Sequence, residues 1–149
     1  TPPFLPPSFF ARFVVPYVRE MVELIHSKGA RVRLHCHGRL RQVLDMIAET
    51  GSDALDPCEA PPDGDITLAE IKARVGDKLC LFGNLQPRLL EHGSLEDVER
   101  AVKECMEAAK DGGGYVIMPT AAPIESPLRK KAEENYLYFF EYAHKYGQY

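Results

Sequence analysis

No stretch of the sequence approaches the roughly 20 consecutive apolar residues that a bilayer-spanning helix needs. The opening residues TPPFLPPSFF have neither the basic start nor the apolar core of a secretion signal. Basic residues are not in excess: 18 Lys and Arg stand against 22 Asp and Glu, a formal net charge of −4. That balance excludes the electrostatic footprint of a nucleic-acid binder or of a protein drawn to anionic membranes. Cysteine is sparse. Cys36, Cys58, Cys80 and Cys105 are widely spaced without a CxxC pair, which excludes a disulfide framework and leaves reduced thiols as the expectation. The sequence also lacks an initiating methionine and opens on a proline-rich segment with no evident element before it, which reads as a fragment. These absences point to a soluble, cytoplasmic protein whose partner is a small-molecule substrate, with neither nucleic acid nor membrane involved.

What is present is ample core material. With 45% hydrophobic and 27% charged residues over 149 positions, the chain suits one globular domain. Apolar periodicity alternates between helix and strand. SFFARFVVPYVREMVELIHSKG places Phe10, Phe13, Val14, Tyr17, Val18, Met21, Leu24 and Ile25 on one helical stripe, with Ser8 as front cap, Gly29 as stop and a kink at Pro16. Strands are expected near residues 31–36, 53–56, 79–82 and 115–118. Between them come helices in LRQVLDMIAETG, in TLAEIKARVG with a Thr67–Glu70 capping box, and in a segment beginning at Ser94. A closing helix is expected with Ser126 as cap and Pro127 at its first position. Four βα units in series imply a parallel α/β sheet with right-handed crossovers, its functional groups gathered at the C-terminal strand ends.

Those ends carry the polar residues. In RVRLHCHG, side chains two apart on a strand share a face, so His35 and His37 point together and Cys36 points to the other side. Two such imidazoles could ligate a transition metal, with Cys36 packed as a small apolar residue. Alternatively, they simply bond loop backbone at a strand end. DALDPCEAPP presents Asp56, Cys58 and Glu59; LFGNLQP presents Asn84 and Gln86; IMPTAAP presents Thr120. Turn-making or loop-tying roles exist for each of these, but polar residues at four successive strand ends fit the way parallel α/β folds build a site. Asp56, Glu59 and Asn84 are the catalytic candidates, Gln86 and Thr120 the substrate-binding ones, and His35, His37 and Cys58 the metal ligands.

The segments PYVREMVELIHSKGARVRLHCHG, LDMIAETGSDALDPCEAPPDGDITLAEIKARVGDKLCLFGNL and AVKECMEAAKDGGGYVIMPTAAPI resemble the C-terminal half of the uroporphyrinogen decarboxylase superfamily, which includes cobalamin-linked methyltransferases. The resemblance covers nearly all of residues 1–149. It implies four consecutive units of a (β/α)8 barrel, open at both outer strands and leaving barrel-facing Val32, Leu34, Leu79, Leu81 and Val116 to be covered by a second copy, as a homodimer, or by a missing N-terminal half. The superfamily's zinc methyltransferases carry a His-x-Cys at the HCH strand and a later Cys. His35 matches the His, His37 stands at the first Cys, and Ala121 or Ala122 at the second. The decarboxylases carry a His-Gly near the end of the last strand, where this sequence reads MPTAAPI. The expected function is corrinoid-linked methyl transfer with a methyl ether or thiol, assisted by Zn²⁺ and using a corrinoid on a partner protein. The alternatives are porphyrinogen decarboxylation and a non-catalytic member that binds a small ligand.

Overall fold

The computed structural model describes residues 5–123 and 125–148. Four strands, β1 (Arg33–His35), β2 (Ala54–Asp56), β3 (Cys80–Leu85) and β4 (Tyr115–Pro119), form one sheet in the order β1-β2-β3-β4 with every neighbouring pair parallel. This is the expected α/β arrangement of four consecutive barrel units. Among the described residues seven helices accompany it: α1 (Pro7–Phe13), α2 (Val15–His26), α3 (Leu44–Ala48), α4 (Leu68–Val75), α5 (Pro87–His92), α6 (Leu95–Ala109) and α7 (Lys130–Tyr146).

Register assigns the two faces of the sheet. Leu34, Leu55, Leu81 and Tyr115 lie opposite one another across successive strands, and all belong to the core that the helices cover. The next residues along, Arg33 and His35, Ala54 and Asp56, Phe82 and Val116, form the other face. The expectation that Leu34, Leu79 and Leu81 look into a barrel is therefore corrected: Leu79 and Leu81 are fully packed under helices, and of the five named residues Val116 is the exposed strand side chain. Strands apolar on both faces give no alternation from which to tell the faces apart.

The N-terminal helix also differs from expectation. It breaks at Val14, and Pro16 sits in the first turn of the second helix, where a missing N–H costs nothing. Ser8 lies inside α1, whose cap position is Pro6. The break divides the predicted stripe. Phe10, Val15 and Val22 are buried, whereas Phe13, Tyr17, Met21, Leu24 and Ile25 are exposed. Arg19 fixes the orientation of α2 by donating to the Glu49 carbonyl at the end of α3, at 2.9 and 3.2 Å.

Both expected starts at Thr67 and Ser94 are capping boxes, with Glu70 and Asp97 completing the reciprocal bonds. The short α5 is an addition to the sequence reading, and Ser126 and Pro127 precede α7, which begins at Lys130 after Arg129. Asn135, fully buried, donates to the Leu90 and Gly93 carbonyls at 3.0 Å and so locks α7 against the end of α5.

Ser94→Ala should cost about 1 kcal/mol in urea unfolding, the usual worth of such a cap. The Arg41 guanidinium, with the Thr67 N–H and hydroxyl, holds the Glu70 carboxyl at about 2, below its ordinary 4.5. A carboxyl lowered in the folded state adds stability above pH 4.5 that fades as pH falls through its folded value. Thermal melts of Glu70→Gln should therefore lie below wild type at pH 7 and converge with it near pH 2; an unchanged gap would refute this.

Candidate functional site

β1 and β2 are three residues long each, so their alignment needs support from outside the ladder. Asp53, just before β2, supplies it by accepting the Val32 N–H at 2.7 Å, Arg31 at 2.6 Å and His26 at 2.7 Å. The Val32 N–H, with His26 and Arg31, holds the Asp53 carboxyl well below the usual carboxylate range. In the resulting register His35 stands opposite Asp56.

At the C-terminal ends of these strands two histidine–carboxylate pairs lie side by side. His35 Nδ1 is 3.1 Å from Asp56 Oδ2, and His37 Nδ1 is 3.0 Å from Glu59 Oε1. Glu59 is held in turn by the Gly38 N–H, which donates to Oε2 at 2.6 Å. The two imidazoles touch edge to face, with centroids 4.5 Å apart and planes at 76°. Asp56 is buried while the His35 ring is largely exposed. Each carboxylate faces Nδ1, which places the proton of a neutral ring there and leaves the Nε2 lone pair available as a base or a metal ligand. No hydrogen bond engages either Nε2 among the described residues.

Arg33 joins this face. Its Nε lies 3.6 Å from the same Asp56 oxygen, and its guanidinium sits 5.0 Å from the centre of the Phe82 ring. The period of two that pairs His35 with His37 also selects position 33, so the signal for Arg33 was present in the sequence.

The remaining candidates divide. Cys58 is fully buried in the helix-side core, and burial pushes its thiol up to about 12, the opposite of a thiolate ligand. The third protein ligand expected to join the histidines is not assembled: among the described residues no group of three His, Cys, Asp or Glu side chains has metal-holding geometry. Asn84 turns to the helix side, where the Cys105 thiol donates to its Oδ1 at 3.3 Å. Its strand position would place it beside Phe82, but Gly83 adopts φ +140°, a conformation L side chains rarely take, and interrupts the alternation. A Cβ on Gly83 would also stand 3.1 Å from the Cys58 nitrogen. Gln86 donates to the Ala60 carbonyl at 3.3 Å and tethers a loop.

Thr120 does meet the histidine face. It is buried and lines a cavity of about 300 Å³ shared with His35, Asp56, Met118 and Tyr136. Tyr136, on α7, was not singled out in the sequence, where it reads as one aromatic among several in NYLYFFEY.

The family model described as uroporphyrinogen decarboxylase (URO-D) matches residues 1–146. Uroporphyrinogen decarboxylases of Thioalkalivibrio sulfidiphilus and Pseudoalteromonas translucida are 38% and 33% identical over 115 residues, 75% of this chain and 31% of each relative. That of Sodalis glossinidius is 39% identical over 111 residues, 72% of this chain and 29% of the relative. The chain thus spans about a third of the length of these curated relatives. A methyltransferase from Methanosarcina mazei superposes with a TM-score of 0.75 at 19% identity, covering 97% of this chain and 39% of that chain. At that identity the likeness is one of fold.

Alkylation with iodoacetamide at pH 8, read by mass spectrometry, should leave Cys58 unmodified in the folded protein and modify it once urea is added. Rapid labelling of folded Cys58 would contradict the buried, protonated thiol described above.

Proposed function

Because the chain belongs to the uroporphyrinogen decarboxylase family, we propose that it forms part of a barrel enzyme that moves a methyl group between a small methyl ether or thiol and a corrinoid carried by a partner protein. The observation that carries this reading is the pair of adjacent imidazoles, each with Nδ1 against its own carboxylate and Nε2 without a hydrogen bond among the described residues. Carboxylates in that position orient metal-ligating histidines and raise their basicity. His35 and His37 would hold Zn²⁺ through Nε2, and the ion would act as a Lewis acid on the substrate oxygen or sulfur.

The chain's own groups have distinct tasks in this reading. Asp56 and Glu59 fix the two rings. Gly38 holds Glu59 in place through its N–H, and Arg33 offsets the charge of buried Asp56. The apolar walls beyond His35 suit an uncharged methylated substrate. Asn84, Gln86 and Cys58 have supporting roles, since each is engaged in packing or loop contacts. The exposed apolar residues of α1 and α2, with the outer strands β1 and β4, suit cover by a second copy or by further chain.

A second reading, decarboxylation of a porphyrinogen, draws on the names of the curated relatives. It requires cationic or hydrogen-bonding groups for several substrate carboxylates, and on this face Arg33 is already paired with Asp56.

Plasma mass spectrometry should find zinc bound to the protein, lost in His35→Ala and His37→Ala and kept in Cys36→Ala. Supply of a methyl ether and reduced cobalamin should yield the methylcobalamin absorption spectrum, at least a hundredfold more slowly in the His37→Ala variant, the scale on which removal of such a group acts. Zinc retained by both histidine variants would sink the metal assignment. Release of CO₂ from uroporphyrinogen would reverse the order of the two readings.

A further inference from the structure

A second opening lies on the helix side of the sheet, away from the histidine pairs. It is a groove of about 440 Å³ bounded by the first turn of α4, by α5 and by the middle of α6, a volume within the usual range of small-molecule sites. Ala101, Cys105 and Ala108 share one face of α6, and the two alanines leave room where longer side chains would close the groove. Asn84 lines it from β3 and is nine-tenths buried. The Cys105 thiol donates to Asn84 Oδ1 at 3.3 Å, which fixes the amide and leaves Nδ2 without an acceptor among the described residues. This nitrogen is not sealed in. Among the described residues, the unpaired side-chain polar atoms shut off from solvent are Asn135 Oδ1 and Tyr136 Oη, and Asn84 Nδ2 is not one of them. A largely buried donor that keeps its opening on a groove calls for an acceptor in that groove.

The rest of the lining narrows the ligand. The Leu68 and Ala69 N–H groups, in the first turn of α4, have no acceptor among the described residues and carry the positive end of the helix dipole. Arg88 adds an exposed guanidinium whose surface bond to Asp63, at 3.3 Å, is a weak hold that a ligand carboxylate can replace. From α6, Glu104 reaches the same groove and has no partner among the described residues. We infer that the groove binds an α-amino acid with an apolar side chain. Its carboxylate meets Asn84 Nδ2, Arg88 and the start of α4, its ammonium meets Glu104, and its side chain lies against Leu85 and Leu89. A simple anion would leave the Glu104 charge unanswered, and an uncharged ligand would leave both Glu104 and the α4 N–H groups so. The groove and the cavity beside His35 share no residue and lie on different faces of the sheet, so the inference does not depend on the methyl-transfer reading.

Three compounds of one shape separate the two charges: L-phenylalanine, N-acetyl-L-phenylalanine, which lacks the ammonium, and L-phenylalaninamide, which lacks the carboxylate. Calorimetric titrations of the purified protein at about pH 6 should show phenylalanine bound about tenfold more tightly than either analogue, the scale of one charge-assisted hydrogen bond. Glu104→Gln should abolish the preference over the N-acetyl compound and keep the preference over the amide. Arg88→Gln should do the reverse, shrinking the preference over the amide alone. Both side chains are exposed, so neither change should move the thermal melt. Ala101→Trp, which fills the groove, should lose phenylalanine. Ala69→Trp, at an exposed position on the facing helix, closes the same groove without touching the core and decides the matter should the first variant not fold. Equal binding of the three compounds by wild type, absence of binding, preferences that Glu104→Gln and Arg88→Gln leave intact, or phenylalanine binding that survives in a folded tryptophan variant would overturn the inference.

Discussion

The arrangement of the site depends on one short pairing, three residues of β1 against three of β2. Arg33 lies beside Ala54, Leu34 beside Leu55 and His35 beside Asp56. A slip of one position would turn every side chain of β1 to the opposite face. It would bury Arg33 and His35 under helices and bring Leu34 out beside Asp56. Three ladder positions are a weak hold, and the pairing is clamped from both ends. Asp53 gathers Val32, Arg31 and His26 before the strands start. Past the strand ends, the Glu59 carboxylate takes the Gly38 N–H and the His37 ring. The residues of the candidate site are thus also part of what aligns the strands.

The second consequence of that alignment is electrostatic. Asp56 is buried with Arg33 and His35 beside it, and Glu59 is nearly as enclosed between His37 and the Gly38 amide. Charges taken out of water need such partners. Both imidazoles meet their carboxylates through Nδ1, and the His35 ring is largely exposed. The cavity beyond His35 repeats this at lower polarity, with Thr120 in its wall.

Much of this was legible in the sequence. The alternation of apolar strand and amphipathic helix yielded four parallel strands in order, and the Thr67–Glu70 and Ser94 starts followed from side-chain chemistry that acts within one turn. His35 and His37 share a face because strand geometry has a period of two. What was not legible depends on contacts distant in sequence. Leu79 and Leu81 face helices rather than the open side, which no pattern internal to KLCLFGNL could decide. The stripe of α2 was misassigned because the helix restarts at Val15, after which Arg19 and Glu49 set its face. Asn84 looked like a site residue until Gly83 turned it towards Cys105. Tyr136 meets His35 and Thr120 only because the end of β4 and α7 come together around one cavity.

His26, Arg31 and Asp53 lie at the opposite end of the strands from the histidine pairs, where one carboxylate serves an imidazole, a guanidinium and a backbone amide. That shared dependence couples three positions in heredity as well as in space. Loss of the carboxylate at position 53 removes the reason for a hydrogen-bond donor at 26 or 31, and a change at 26 alters what 53 must offer. Across related sequences these three columns should therefore change as a set, and their joint variation would report the alignment of β1 on β2 even where the histidines themselves have been replaced.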